Sequence, residues 1–245
     1  MDSRSAMSQT FDYETIRPGY YDEIFHRNNG IQSKWHHLKF ACVRSRMGEY
    51  RRHLDIGCGP GTFIGTLENE RLSIGADVAK AQIAYAQARY TRENHRFVLI
   101  EPGSSLPFEN NFFDVVTLIE VIEHLTAEEN RLVMQEVRRV LRPGGRVLVT
   151  TPNYASLWPV MEFVVNRVSP ISYQEQHVMH FTRIRLQNFL NECGYFEPSV
   201  QAFQFMAPFT ALMGWSFADY VQKFEKNWIG SRLGMLLIGQ GVKED

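Results

Sequence analysis

The sequence predicts an α/β fold, with a doubly wound, mostly parallel seven-stranded sheet, a helical N-terminal cap and lid insertions. Three observations predict this fold class. After residue 51, strand patterns alternate with helical patterns, as in parallel α/β sheets. The segment 113–119 is apolar and β-branched throughout, which is typical of a strand covered on both faces. A glycine-rich loop separates the first strand from its helix.

The elements follow in chain order. Residues 14–48 show helical spacing. Strands are predicted at 53–56, 72–76, 97–100, 113–119 and 146–151, and near 195–204 and 234–241. Helices are predicted at 62–69, at 79–92, from the capping box Thr126–Glu129 to the stop at Pro143-Gly144-Gly145, and at 182–193. Between them, 153–176 is expected to be irregular because Pro159 and Pro170 interrupt any long helix.

Composition limits the function classes. The chain carries 26 Lys and Arg against 27 Asp and Glu, so a protein that mainly coats nucleic acid is disfavoured. Three scattered cysteines without a C-x-x-C pair argue against a disulfide framework or a cysteine zinc site. The first residues lack the apolar core of a signal peptide, and no apolar run reaches the ~18 residues of a membrane span. A cytoplasmic location is therefore expected.

A glycine loop follows the first predicted strand. It reads Asp55-Ile56-Gly57-Cys58-Gly59-Pro60-Gly61, and its glycines would let a ligand approach the backbone. The G-x-G-x-G spacing differs from the G-x-G-x-x-G of dinucleotide-binding proteins. Asp55 would favour a ligand with an ammonium group, and Asp77 at the end of the second strand can accept both hydroxyls of a ribose. S-adenosylmethionine fits these features. The alternatives are a tight structural turn and an N-cap role for Asp77.

Further motifs follow the loop in order. They are Asp77, Leu106-Pro107-Phe108, Phe113-Asp114-Val115-Val116 and Leu141-Arg142-Pro143-Gly144-Gly145. Over about residues 50–152 the chain resembles the class I S-adenosylmethionine-dependent methyltransferases, especially the small-molecule type of the ubiquinone-biosynthesis O-methyltransferases. The resemblance implies a Rossmann-like sheet that binds S-adenosylmethionine.

The same resemblance implies a set of cofactor-binding residues. These are Tyr21, Asp55, Gly57, Cys58, Gly59, Gly61, Asp77, Val78, Glu101 and Ile119. Tyr21 would lie over the sulfonium, and Val78 beside the adenine. The block before Leu106 is one residue longer than the family pattern, so Ser104 or a backbone amide is the alternative to Glu101 at the adenine amine.

Two glutamates and a histidine follow the fourth strand. If their turn is helical, Glu120, Glu123 and His124 share one face, where the methyl group would point. His124 could be a general base, or the glutamates could only hydrogen-bond the turn. A third interpretation is a divalent metal site, with Mg²⁺ as the candidate ion. It rests on a resemblance to the Glu-x-x-Glu-His motif of the ubiquinone O-methyltransferases and of the small-RNA 2′-O-methyltransferases, where a downstream histidine, here His177, would complete the ligands.

Aromatic and apolar residues crowd the segments after the fifth strand. Residues 153–181 read as a lid, and 205–229 as a long apolar insertion between the last two strands. Both are expected to wall a pocket for a small acceptor with apolar or aromatic surface. We expect one domain over 1–245, with a helical cap (1–50), a cofactor-binding half (51–152), the lid (153–181) and a substrate-side half (182–245).

A basic segment precedes the first strand. Residues 34–53 carry six Lys or Arg and three His, with only Glu49 opposing them. This segment is either a solvated helix face or a site for an anionic substrate or an acidic membrane surface. The leading functional hypothesis is O-methylation of a small molecule. Metal-assisted RNA 2′-O-methylation and a non-catalytic protein that binds the cofactor for regulation are the alternatives.

Overall fold

A computed structural model of the chain describes residues 16–168, 177–226 and 230–244. The start of the predicted helical segment at 14–15 and Pro170 lie outside the described residues. The strands are β1 (Arg52–Ile56), β2 (Leu72–Asp77), β3 (His95–Leu99), β4 (Phe113–Ile119), β5 (Leu141–Pro152), β6 (Phe196–Phe203) and β7 (Leu236–Val242). The helices are α1 (Tyr20–His26), α2 (Gly30–Met47), α3 (Thr62–Gly65), α4 (Lys80–Tyr90), α5 (Ala127–Val140), α6 (Trp158–Val168), α7 (Arg183–Glu192), α8 (Ala207–Thr210), α9 (Trp215–Lys226) and α10 (Gly230–Leu233).

The seven strands form one sheet in the order β3-β2-β1-β4-β5-β7-β6. Neighbours from β3 to β5 pair in parallel, and β7 runs antiparallel to both β5 and β6. The predicted mostly parallel, seven-stranded Rossmann-like sheet is confirmed. Because β1 to β4 are parallel, their carboxyl ends meet at one edge, where ligands bind in open α/β sheets.

Both faces of the sheet are covered. Val116 and Leu118 of β4 pack among buried residues of α5 and α7, while Val115, which precedes them, packs with Phe63 and Ile83 from α3 and α4. This alternation follows from the two-residue period of a strand. It explains why β4 reads as a continuous apolar run: neither of its faces meets water.

Three predicted segments differ from the structure. The fifth strand, predicted at 146–151, already begins at Leu141. The helix expected at 62–69 ends at Gly65, because the N–H groups of Thr66 and Leu67 bond carbonyls only three residues back and tighten the last turn. The segment expected to be irregular contains α6. Pro159 occupies its first turn, where the missing N–H breaks no helical hydrogen bond.

The cap is tied to the cofactor half through Asp22. This buried carboxylate on α1 accepts hydrogen bonds from the hydroxyls of Thr62 (2.8 Å), Tyr85 (2.9 Å) and Tyr90. Thr62 is the first residue of α3, directly after the glycine loop. Asp22 therefore holds α1 against the loop and places the neighbouring Tyr21 at the cavity described below.

Candidate active site

The glycine loop is held by hydrogen bonds to the end of β2. The N–H groups of Gly57 and Cys58 donate to the Ala76 carbonyl at 2.8 and 3.2 Å, and the Gly59 N–H donates to Asp77 Oδ2 at 2.7 Å. A Cβ on Gly57 would lie 2.4 Å from the Val121 side chain, whereas one on Gly59 would meet nothing within 4 Å. Gly59 thus presents bare backbone to open space, which suits close approach by a ligand.

A cavity of about 910 Å³ lies at the carboxyl ends of β1 to β4. Its floor is the glycine loop and the segments that follow β2, β3 and β4. Residues from α1, α2, α6 and α8 form the other walls. All but one of the predicted cofactor residues line it: Tyr21, Asp55, Gly57, Cys58, Gly59, Asp77, Val78, Glu101 and Ile119.

The exception is Gly61, which packs away from the cavity. Its φ is 76°, and a Cβ there would lie 2.6 Å from the Phe97 ring and 2.9 Å from Ala86. The residue therefore permits close packing of α3 against α4 and β3. Glu101 is exposed and lies at the cavity rim, as expected for a residue reaching the outer edge of a ligand.

Asp55 is a buried acid at the cavity floor. Its carboxylate is 2% exposed and accepts a hydrogen bond from Thr117 Oγ1 at 2.5 Å. Burial, with a smaller contribution from the Asp77 carboxylate, raises the pKa of Asp55 to about 7, against the opposing effect of the Thr117 hydroxyl. An ammonium group bound beside Asp55 would favour its ionised form.

The turn after β4 is not helical, so the condition for Glu120, Glu123 and His124 to share a helix face is not met. Glu120 has φ 55°, in the left-handed region, and its N–H bonds the Thr150 carbonyl at 3.0 Å. Its carboxylate forms an ion pair with the buried Lys39 of α2. Glu120 lines the cavity, but it does not join the group formed by Glu123 and His124.

Glu123, His124 and His177 converge on one side of the cavity. One polar atom from each lies within 4.8 Å of the others, and the two imidazole rings are 5.1 Å apart between centroids. Glu123 is buried, and neither of its carboxylate oxygens has a hydrogen-bond partner among the described residues. Burial and the Glu120 carboxylate raise the pKa of Glu123 well above its usual value.

Two residues of this site escaped the sequence analysis. Glu162 of α6 lies 2.6 Å from His177 Nδ1, and the Tyr154 hydroxyl lies 3.0 Å from both Glu162 carboxylate oxygens and 2.9 Å from the same Nδ1. Burial lowers the pKa of His177 below its usual value even though Glu162 opposes the shift, so the ring is neutral near pH 7. Only the aromatic density of the lid pointed to this segment, and no motif singled out Glu162.

Part of the basic segment is internal. Lys34 and Lys39 are 2% and 3% exposed; Lys34 pairs with Asp219 of α9 at 2.7 Å, and Lys39 pairs with Glu120. His53 is buried in β1 and contacts the Thr117 hydroxyl at 2.8 Å. Arg44, Arg51 and Arg52 of the same segment are exposed, so its basic residues are divided between the interior and the surface.

Comparisons with known proteins fit this geometry. Residues 54–149, from β1 to β5, match the family model described as "Methyltransferase domain". A probable S-adenosylmethionine-dependent methyltransferase of Mycolicibacterium smegmatis is 33% identical over 132 residues, which cover 54% of this chain and 48% of that protein. Residues 54–149 are therefore similar to the catalytic domain of the S-adenosylmethionine-dependent methyltransferase family. S-adenosylmethionine is the methyl donor of this family.

Less similar relatives match more of the chain. The ubiquinone/menaquinone biosynthesis C-methyltransferase UbiE of Vibrio campbellii is 23% identical over 199 residues, which cover 69% of this chain and 72% of that protein. A crystal structure of a possible histamine N-methyltransferase from Thermotoga maritima aligns with TM-score 0.67 and 16% identity, over 91% of this chain and 94% of that one. The chain spans 31% to 48% of the length of the first curated relatives it matches.

No helix in the described parts of the chain has the length and apolar character needed to span a membrane.

The affinity of the protein for S-adenosylmethionine is expected to weaken below about pH 7, by up to about tenfold per pH unit. In the ligand-free protein Asp55 has a pKa of about 7, and only its ionised form attracts a cationic ligand. Below that pH a proton must leave before the ligand binds, so acid opposes binding. Titration calorimetry at several pH values measures the slope.

Asp55→Asn is the control for this pH dependence. It should bind S-adenosylmethionine more weakly than the wild type does above pH 7. Its affinity should also depend less on pH, because the titrating carboxyl group is gone. Titration of the ligand's own amine affects both proteins equally. Equal slopes for the wild type and Asp55→Asn would contradict the assignment.

Proposed function

We propose that this methyltransferase transfers the methyl group of S-adenosylmethionine to a hydroxyl of a small acceptor with apolar or aromatic surface. The observation that carries the proposal is the pair formed by Glu162 and His177, at a cavity wall beside His124 and Glu123. A carboxylate on one imidazole nitrogen and a cavity on the ring's other side is the arrangement of a base and its orienting group.

The residues of the cavity suit the cofactor. Asp77 anchors the glycine loop through Gly59 and carries acceptor oxygens for a ribose, and Asp55 is placed for the ammonium group. Tyr21 lines the cavity where a ring could face a sulfonium. When bound, S-adenosylmethionine supplies an electrophilic methyl group on a positively charged sulfur.

The chain's own residues would position the acceptor and take its proton. With Nδ1–H donated to Glu162, His177 offers Nε2 as its basic atom, and the buried, neutral ring can accept the hydroxyl proton as the oxygen–methyl bond forms. Tyr154 adds a hydrogen bond to the Glu162 carboxylate, which keeps the carboxylate in place. Most of the rate acceleration would come from holding the acceptor oxygen in line with the methyl group.

The acceptor side of the cavity is largely apolar. Trp35 and Phe40 of α2, Trp158 and Met161 of α6 and Phe209 of α8 line it, and the rings of Trp35 and Trp158 lie 5.8 Å apart. Such walls exclude water and favour an aromatic or prenyl-like acceptor over a small hydrophilic one. Cap, cofactor half and lid all contribute to this one cavity, which supports the single-domain organisation proposed for the chain.

The residues present do not fit Mg²⁺. That ion prefers six oxygen ligands, whereas Glu123, His124 and His177 offer two imidazoles and one carboxyl group, and the raised pKa of Glu123 favours its neutral form. The fourth predicted metal ligand, Glu120, has a carboxylate that is paired with Lys39. No step of the proposed mechanism uses a metal.

The test is turnover of methyl-labelled S-adenosylmethionine over a panel of phenols, catechols and hydroxylated quinols. We expect label on oxygen of an apolar acceptor, and activity that survives treatment with EDTA without a response to added Mg²⁺. Label on carbon would favour C-methylation, the reaction in the name of the UbiE relative. Loss of activity with EDTA and recovery with a divalent ion would overturn the metal-free mechanism.

A further inference from the structure

Large apolar side chains are exposed on two neighbouring segments of the chain. They are Val160 and Phe163 on α6, Leu212 and Met213 just before α9, and Tyr220 and Phe224 on α9. We call these six residues the aromatic face. Each is between 56% and 77% exposed, and clusters of exposed apolar residues of this kind mark sites of protein or membrane contact.

Trp158 and Met161 of α6 line the cavity. Phe209 of α8, three residues before Leu212, also lines it. Helix α2 supports both segments: Trp35 contacts α6, and the His37 ring lies 5.3 Å from the Trp215 ring at the start of α9. The aromatic face therefore lies next to the acceptor side of the cavity.

The acidic residues of α6 and α9 are turned away from this face or neutralised. Glu162 bonds His177 inside the site. Glu225 is buried and accepts a hydrogen bond from the Met206 N–H at 2.8 Å. Asp219 pairs with the buried Lys34. Three carboxylates on two otherwise exposed helices thus contribute little negative charge to the surface.

The basic residues of the same helices point outward. Arg167 is exposed and stacks over the Phe163 ring at 4.0 Å, and the exposed Lys223 precedes Phe224 in α9. Exposed apolar and aromatic side chains next to Arg and Lys are complementary to a lipid surface, which has an apolar interior and anionic headgroups. An acidic groove on a partner protein would also bind Arg and Lys. It would not account for several apolar side chains that protrude separately into solvent.

We propose that the aromatic face docks the protein on the surface of an anionic lipid membrane. The apolar tips enter the headgroup region, and Arg167 and Lys223 contact anionic headgroups. The docking itself is independent of catalysis. Docking would let an apolar acceptor pass from the lipid into the cavity next to the aromatic face. This role of the docking rests on the proposed function.

The experiment is flotation of the full chain with vesicles of phosphatidylcholine, with and without phosphatidylglycerol. We expect binding to the anionic vesicles, weakened by salt. The variant Leu212→Ser with Phe224→Ser should bind at least about tenfold more weakly. Ile184→Ser on α7 removes an equally exposed apolar residue elsewhere and should leave binding unchanged.

Three outcomes would overturn the proposal. They are no flotation with anionic vesicles, equal loss of binding in Ile184→Ser, and a concentration-dependent dimer in light scattering that the double variant abolishes, which would assign the face to a second copy of the chain. Methylation of a water-dispersed acceptor, measured without vesicles, should be unchanged in the double variant. Failure of docking and failure of the proposed reaction are thereby separated.

Discussion

Replacing His177 with alanine should lower kcat by about 10²–10⁴-fold, the usual contribution of a general base, and leave the affinity for S-adenosylmethionine nearly unchanged. The imidazole lies on the lid side of the cavity, away from the glycine loop that holds the cofactor. Removing it takes away the proton acceptor while Asp55 and Asp77 remain. Steady-state kinetics with saturating acceptor, together with calorimetry for the cofactor, separate the two effects.

Two variants sharpen this result. Glu162→Gln keeps a hydrogen-bonding side chain but loses the charge that orients His177, so we expect a smaller fall in kcat and an unchanged Kd for the cofactor. His180→Ala removes another lid histidine, whose ring stacks on Tyr154 outside the cavity, and should retain most activity. If His177→Ala kept wild-type kcat while His124→Ala lost it, the base would be His124.

Asp77→Ala should weaken the binding of S-adenosylmethionine by about 10²–10⁴-fold. Two hydrogen bonds from ribose hydroxyls to a carboxylate contribute roughly 1.5–3 kcal/mol each. The substitution also leaves the N–H groups of Gly59 and Ala79 without their acceptor, so the loop loses an anchor. Calorimetry measures the Kd, and circular dichroism checks that the sheet is retained.

Asp77→Asn is the matched control for this prediction. It preserves the side chain's size and one acceptor oxygen, and we expect an intermediate affinity. Cofactor affinity that stayed at the wild-type level in a folded Asp77→Ala protein would show that the carboxylate serves only the loop and the start of α4.

The sheet and the glycine loop could be predicted because their signals are local. The apolar run of β4, the G-x-G-x-G loop and the capping box at Thr126 each depend on residues within a few positions of one another. The structure confirms the capping box, with Thr126 and Glu129 bonding each other's backbone N–H groups.

The side-chain partners of the site could not be predicted in the same way. Lys39 and Glu120 are 81 residues apart in the chain, so nothing local indicated that their ion pair would turn Glu120 away from Glu123. Glu162 and His177 are closer in sequence, but Pro159 favours an irregular segment where the structure has α6. A proline in the first turn of a helix does not break it, and this position brought Glu162 to His177.

The hydrogen bonds of Asp22 bear on how far this chain can be divided. The family match begins at residue 54, yet Thr62 and Tyr90 inside that stretch give their hydroxyls to an acid that lies before it. Cutting the chain at the edge of the match would leave these groups without their acceptor, and Glu120 without Lys39. The segment that sequence comparison recognises is thus smaller than the unit that folds, and swapping N-terminal segments between relatives would require exchanging their contacts on α3, α4 and β4 as well.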